Sequence, residues 1–144
     1  MSNEIWRDVV GFEESYQVSN IGRVRSKDRL VAYSASLKCG AYLSPRKGRV
    51  LKPAIGSHGY FTVMLGRKNC RTIHSLVANA FIGPCPDGHE VLHADGTRTN
   101  NCVNNLRYGT RSENMLDAVK HGTCDLVMLK AAADKGRASR WGAR

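Results

Sequence analysis

The residues best suited to chemistry fall in one stretch, Glu90 to Thr110, where His93 stands among Asp95, Asn100, Asn101, Asn104 and Asn105, with Asn114 a few residues beyond. An imidazole titrates near neutrality and can take or give a proton at physiological pH. Taken alone, His93 reads as an ordinary core or surface histidine, and the asparagines as loop-shaping residues. It is the ordered succession of Asn, Asp, Gly and His that singles the stretch out. Thiol and zinc chemistry are not indicated: Cys39, Cys70, Cys85, Cys102 and Cys124 are odd in number and scattered, with no C-x-x-C pair.

These residues need elements to hold them. Val91 to His93 and Leu106 to Tyr108 are short apolar strands that flank the polar loop. Thr110 or Ser112 can cap a helix through Glu113, Asn114, Met115, Ala118 and Val119, with Gly122 as its stop. Asn is a mediocre helix former, so Asn114 in mid-helix calls for a reason beyond propensity. Asp95-Gly96 reads as a turn closing the loop. Upstream, Leu76, Val77, Ala80 and Phe81 sit at helical spacing over 73–81, and Gly83-Pro84 ends that helix.

Further towards the N-terminus the reading is β-rich. Ile5 to Phe12 and Tyr16 to Ser19 predict two strands, with Asn20-Ile21-Gly22 as turn chemistry, and Arg23-Val24-Arg25-Ser26 alternates so that both arginines share a face. Ser34 to Gly48 predicts a loop, Val50 to Pro53 a short strand, and Gly59 to Leu65 a stronger one. Leu126 to Lys135 is helix-compatible, with a frayed basic end after Gly136. A chain of 144 residues supports one modest core, or two small ones leaning together.

The net charge of +10 favours a polyanionic partner, nucleic acid or acidic membrane. Charge is unevenly spread. Residues 1–30 balance, whereas 31–73 carry Lys38, Arg46, Lys47, Arg49, Lys52, Arg67, Lys68 and Arg71 against no acid. Backbone phosphate is the simplest partner for Arg46, Lys47, Arg49 and Lys52. No apolar stretch is long enough to cross a bilayer and Met1 to Arg7 lacks a signal peptide's apolar run, so a soluble intracellular protein is expected.

From Gly59-Tyr60-Phe61-Thr62-Val63-Met64-Leu65, through Ile73-His74-Ser75-Leu76-Val77-Ala78-Asn79-Ala80-Phe81, to the H-x-D-G, N-N, N-L-R and E-N elements of residues 93–114, the chain resembles the HNH homing endonucleases of phages and introns. Residues 5–26, with Val18-Ser19-Asn20-Ile21-Gly22-Arg23-Val24-Arg25-Ser26, are similar to the small modular DNA-binding motif that often precedes such domains. The resemblance implies an α+β fold: a β-rich DNA-binding module over 1–55, a ββα-metal nuclease domain over 56–124 and a basic tail over 125–144. It implies hydrolysis of duplex DNA; nicking is expected of a monomer or weak dimer that carries one site, and no small-molecule cofactor is expected.

Phosphodiester hydrolysis requires an activated water, neutralised charge at the phosphate and help for the departing 3′ oxygen. By resemblance His93 is the general base, Asn114 binds a divalent metal, Mg2+ first and Mn2+ second, and Asn105 either orients the imidazole or holds the site's backbone. Arg23, Arg25 and Lys27 join the 46–52 cluster as DNA contacts. His74 is structural, as in the family; His58, His89 and His121 carry no role; Arg107 and Arg111 are phosphate contacts or solvated residues alike.

One departure matters. Many relatives place Asp or another ligand immediately before the histidine, where this chain has Leu92. Three ways of meeting that gap stand open: Asn114 suffices with DNA and water, Asp95 compensates, or metal binding and activity are weakened. The first is preferred, because Asp95 suits the turn. The rivals are a DNA-binding protein whose nuclease site has decayed, and a basic RNA-binding β module; the latter lacks the aromatic-rich stacking strand expected of it.

Overall fold

The computed structural model describes residues 3–33 and 42–122. The helix expected at 126–135, the basic tail, Lys38, Cys39 and Cys124 lie outside them. Strands β1 (Trp6–Asp8), β2 (Tyr16–Ser19) and β3 (Val24–Ser26) form an antiparallel meander in that order. Alternation sends Tyr16, Val18 and Val24 inward, and Val18 is wholly buried. The turn to β3 uses Gly22 at φ +84°, where a Cβ would also stand 2.7 Å from Cβ of Asn101. Glycine is needed there for both the backbone angle and the close approach of a distant loop.

Strands β4 (Arg29–Tyr33) and β5 (Tyr42–Arg46) pair as an antiparallel hairpin, so the loop expected over 34–48 is overturned for its second half. The reason is physical: the hairpin leaves Leu30, Tyr42 and Leu43 exposed, so no buried face imposes an alternating pattern. Pro45 is tolerated in a two-stranded ribbon, where each strand is an edge. The strand expected at 50–53 is also corrected. Val50 makes only an isolated bridge to Arg25, and pairing resumes beyond Pro53 in β6 (Ala54–Ile55).

Strand β6 pairs with β7 (Phe61–Met64), which pairs with β8 (Cys70–Thr72). Helix α1 (Ile73–Phe81) follows directly and buries Ile73, Leu76, Val77 and Ala78. Strands β9 (His89–His93) and β10 (Leu106–Thr110) form an antiparallel pair, joined by a loop that ends in a single 3-10 turn at Val103–Asn105. Helix α2 (Arg111–Lys120) starts with a capping box, in which the Thr110 hydroxyl accepts from Glu113 N–H while the Glu113 carboxylate accepts from Thr110 N–H.

A single core joins the two ends of the described chain. Val9, Tyr16, Val18 and Val24 pack with Val63, Leu65, Ile73, Leu76, Val77 and Leu106. Arg7 strengthens the joint, donating to Ala80 O at 3.0 Å and lying over the Phe81 ring. None of the described helices is long and apolar enough to cross a membrane.

Candidate active site

The site forms on β9, which among the described residues pairs only with β10 and leaves its other edge open. Alternation divides its side chains. Val91 and His93 lie with Tyr108 and Leu106 on the α1 side, where Tyr108 Oη donates to Gly83 O at 2.7 Å. Glu90 and Leu92 lie with Gly109 and Arg107 on the α2 side, where Arg107 pairs with Asp117. A groove of about 590 Å³ along the edge is lined by Val91, Leu92 and His93 with Tyr60, Arg98, Asn114 and His121, while Glu90 borders a neighbouring hollow that shares Asn114 and Tyr60 with it.

His93 is 8% exposed, at the inner end of β9. Its ring stacks on Tyr60 at 5.9 Å and meets His74 edge-on at 5.3 Å. Its Nε2 lies 3.3 Å from Asn101 Oδ1, while Nδ2 of the same amide donates to Thr99 O. That second bond fixes which end of the amide faces the ring. An amide oxygen only accepts, so Nε2 carries the hydrogen and the neutral ring keeps its lone pair on Nδ1. Burial pushes the His93 pKa below the ordinary 6.5 and Arg98 adds to this; the Asn101 bond and the Asp95 charge oppose it. His74, also desolvated, is lowered to about 4 and is neutral at pH 7.

The loop after β9 is held by Asp95 and Asn105. Asp95 Oδ1 accepts from Thr97 N–H and Asn105 Nδ2, and Oδ2 accepts from Asn100 Nδ2. These bonds lower its pKa to about 2. Asn105 also donates to Asn100 O and accepts from Asp95 N–H. Its amide therefore holds loop backbone and does not reach the imidazole; the partner of His93 is Asn101, which is 4% exposed. The sequence reading of Asn101 as a shaping residue missed this contact. An irregular loop has no periodicity to say which of two adjacent asparagines turns inward.

Asn114 reaches back from α2 to β9, where its Nδ2 donates to Glu90 Oε1 at 2.7 Å. Leu92 is 2% exposed and packs on the α2 side, so the residue before the histidine offers hydrocarbon and no ligand. The donors that fit a hard divalent cation here are the Asn114 amide and the adjacent Glu90 carboxylate. Asp95 is unsuited, because both its oxygens are engaged in the loop. Arg98 lies over Tyr60 at 5.4 Å and donates through Nη1 to His58 O, which brings a cation to the groove wall.

Residues 71–116 match the HNH endonuclease family, and residues 4–66 match the NUMOD4 motif. The chain carries an HNH endonuclease domain behind a NUMOD4 motif. It is similar to DNA endonuclease I-HmuI of Bacillus phage SP01, 33% identical over 106 residues that make up 72% of this chain and 51% of that protein. A solved structure titled "DNA binding and cleavage by the HNH homing endonuclease I-HmuI" superposes with a TM-score of 0.63 at 30% identity, over 90% of this chain and 66% of that one. The chain thus spans about half the length of the curated relative it matches.

The basic residues expected to meet DNA divide into two groups. In the NUMOD4 unit, Arg23 and Arg25 both lie over the Trp6 ring, at 5.9 and 4.2 Å. Arg23 also pairs with Glu4, Arg25 donates twice to Gln17 Oε1, and Lys27 pairs with Asp8 at 2.7 Å. These three have partners within the unit. Arg46, Lys47 and Arg49 border a hollow together with Lys27 and Arg29, and Lys52 lies beyond with Arg49. Among the described residues no ion pair involves Lys47, Arg49 or Lys52. Nothing in the sequence singles out Arg29; the pairing of β4 with β5 brings it opposite Arg46.

Proposed function

We propose that the protein is a metal-dependent DNA endonuclease that nicks duplex DNA, with His93 as general base. The observation that carries this is the imidazole itself: it lines the open groove from the end of β9, and with Nε2 committed to Asn101 the lone pair is assigned to Nδ1. The lowered pKa keeps the ring neutral, the form a base requires, at pH 7. Nδ1 takes a proton from water as the water oxygen bonds to phosphorus, and the bond from phosphorus to the 3′ oxygen breaks. Arg98 is placed to offset charge on the non-bridging oxygens.

A divalent ion, Mg2+ or alternatively Mn2+, would neutralise the phosphate and ease departure of the 3′ oxygen, with Asn114 among its ligands. Asn105 serves as a positioning residue through the loop. Residues 1–55 act as the DNA-binding module, 56–124 as the nuclease unit and 125–144 as a basic appendage. The hollow at Arg46, Lys47 and Arg49 binds backbone phosphate, with Lys52, Arg23, Arg25 and Lys27 extending that surface. The relative named a DNA endonuclease and the structure titled for DNA binding and cleavage support this reading.

One site per chain, in a monomer or weak dimer acting on intracellular DNA, cuts one strand. Digestion of supercoiled plasmid with Mg2+, Mn2+ or EDTA tests all of this together. Open circles with either metal and none with EDTA are expected; linear product from the outset contradicts nicking. Leu92 favours a second reading, a DNA-binding protein with an impaired site, which predicts duplex binding with no cleavage in any metal.

A further inference from the structure

Leu92 leaves the α2 side of β9 without an acid next to the histidine, yet Glu90 stands two residues earlier on the same face. The space over its cross-strand neighbour, Gly109, is taken by Leu92, Arg107 and Glu113, and Glu90 reaches Asn114 instead, its Oε1 lying 2.7 Å from the amide nitrogen. In an octahedral shell of oxygens about 2.0–2.1 Å from Mg2+, adjacent ligands are roughly 2.9 Å apart. The ends of Glu90 and Asn114 thus stand at the separation of two neighbouring ligands of one ion. Rotating the Asn114 amide by half a turn puts its oxygen where Nδ2 now sits.

The other acids between His89 and Gly122 are committed elsewhere. Asp95 holds the loop, Glu113 closes the capping box, and Asp117 pairs with Arg107 and Lys120. Glu90 is exposed and makes no ion pair among the described residues. We infer that Glu90 and Asn114 together form the divalent-cation site, Glu90 supplying the carboxylate that position 92 lacks. This rests on the reading of the protein as a metal-dependent nuclease. The site differs from a site built on the residue before the histidine, because its acid enters from one strand repeat further along the open edge.

The test is Mn2+ binding, followed by the electron paramagnetic resonance signal of the free ion, on the full chain with a bound duplex. All proteins carry His93→Ala so that the DNA stays intact. Glu90→Gln keeps the shape and the hydrogen bond but removes the charge; it is expected to weaken Mn2+ binding at least fivefold while duplex affinity in EDTA holds within twofold. Asn114→Ala is expected to weaken Mn2+ binding as well. A loss under fivefold for Glu90→Gln, with binding lost in Asn114→Ala, overturns the role of Glu90 and leaves the metal-dependent reading standing. Absence of Mn2+ binding in the parent overturns both.

Discussion

Asn101 is where the chemistry of single residues departs most from what the sequence displays. His93 and Asn114 were legible because they occur in a fixed order with their neighbours, whereas Asn101 and Asn100 are indistinguishable until the loop is folded. Glu90 was hidden for another reason: an exposed acid on a short strand looks like any solvated residue until α2 brings Asn114 against it. The Asn101 bond favours the protonated ring, so its removal lowers the His93 pKa further. Asn101→Ala is therefore expected to shift the acid limb of the cleavage rate, itself expected below pH 6.5 in the native protein, to still lower pH. It also frees the ring to turn, which reduces the plateau rate roughly ten- to hundredfold. The pH profile separates this positioning role from general loosening, which lowers the plateau without moving the limb.

At the scale of elements, the ββα unit was readable because each part carries a local signal. The strands are apolar, the loop is polar, and Thr110 with Glu113 marks the start of α2. The β4–β5 hairpin was not readable, since a ribbon that buries neither face leaves no period in the sequence. Pro53 likewise displaced β6, for it has no N–H to give a ladder, and before it only the isolated bridge of Val50 to Arg25 forms. The capping box yields a prediction for the element that carries Asn114. Thr110→Ala is expected to cost about 1 kcal/mol, read as a lower urea midpoint at unchanged slope. An unchanged midpoint shows that the cap does not limit the unit's stability.

Across the whole molecule, the NUMOD4 and HNH segments are continuous in their packing, and the β2–β3 turn is pressed against the loop of the active site. Gly22 abuts Asn101, and Val103 N–H donates to Asn20 O at 2.8 Å. The charge imbalance of 31–73 was plain in the sequence, but its geometry was not: the fold gathers Arg46, Lys47 and Arg49 with Lys27 and Arg29 around one hollow and turns Arg23 and Arg25 onto Trp6. Replacing Arg46, Lys47 and Arg49 together by alanine is expected to weaken binding alike on unrelated duplexes. It should also reduce the slope of log affinity against log salt by about 3, one for each phosphate no longer neutralised. An unchanged slope places the phosphate-binding surface elsewhere.

The claim that His93 Nδ1 activates the attacking water is tested most directly by nicking of supercoiled plasmid in Mg2+, native protein against His93→Ala at equal DNA occupancy. Open circles are expected from the native protein and a rate roughly 10²- to 10⁴-fold lower from the variant, with duplex affinity unchanged. Equal rates, or two proteins equally inert, contradict it.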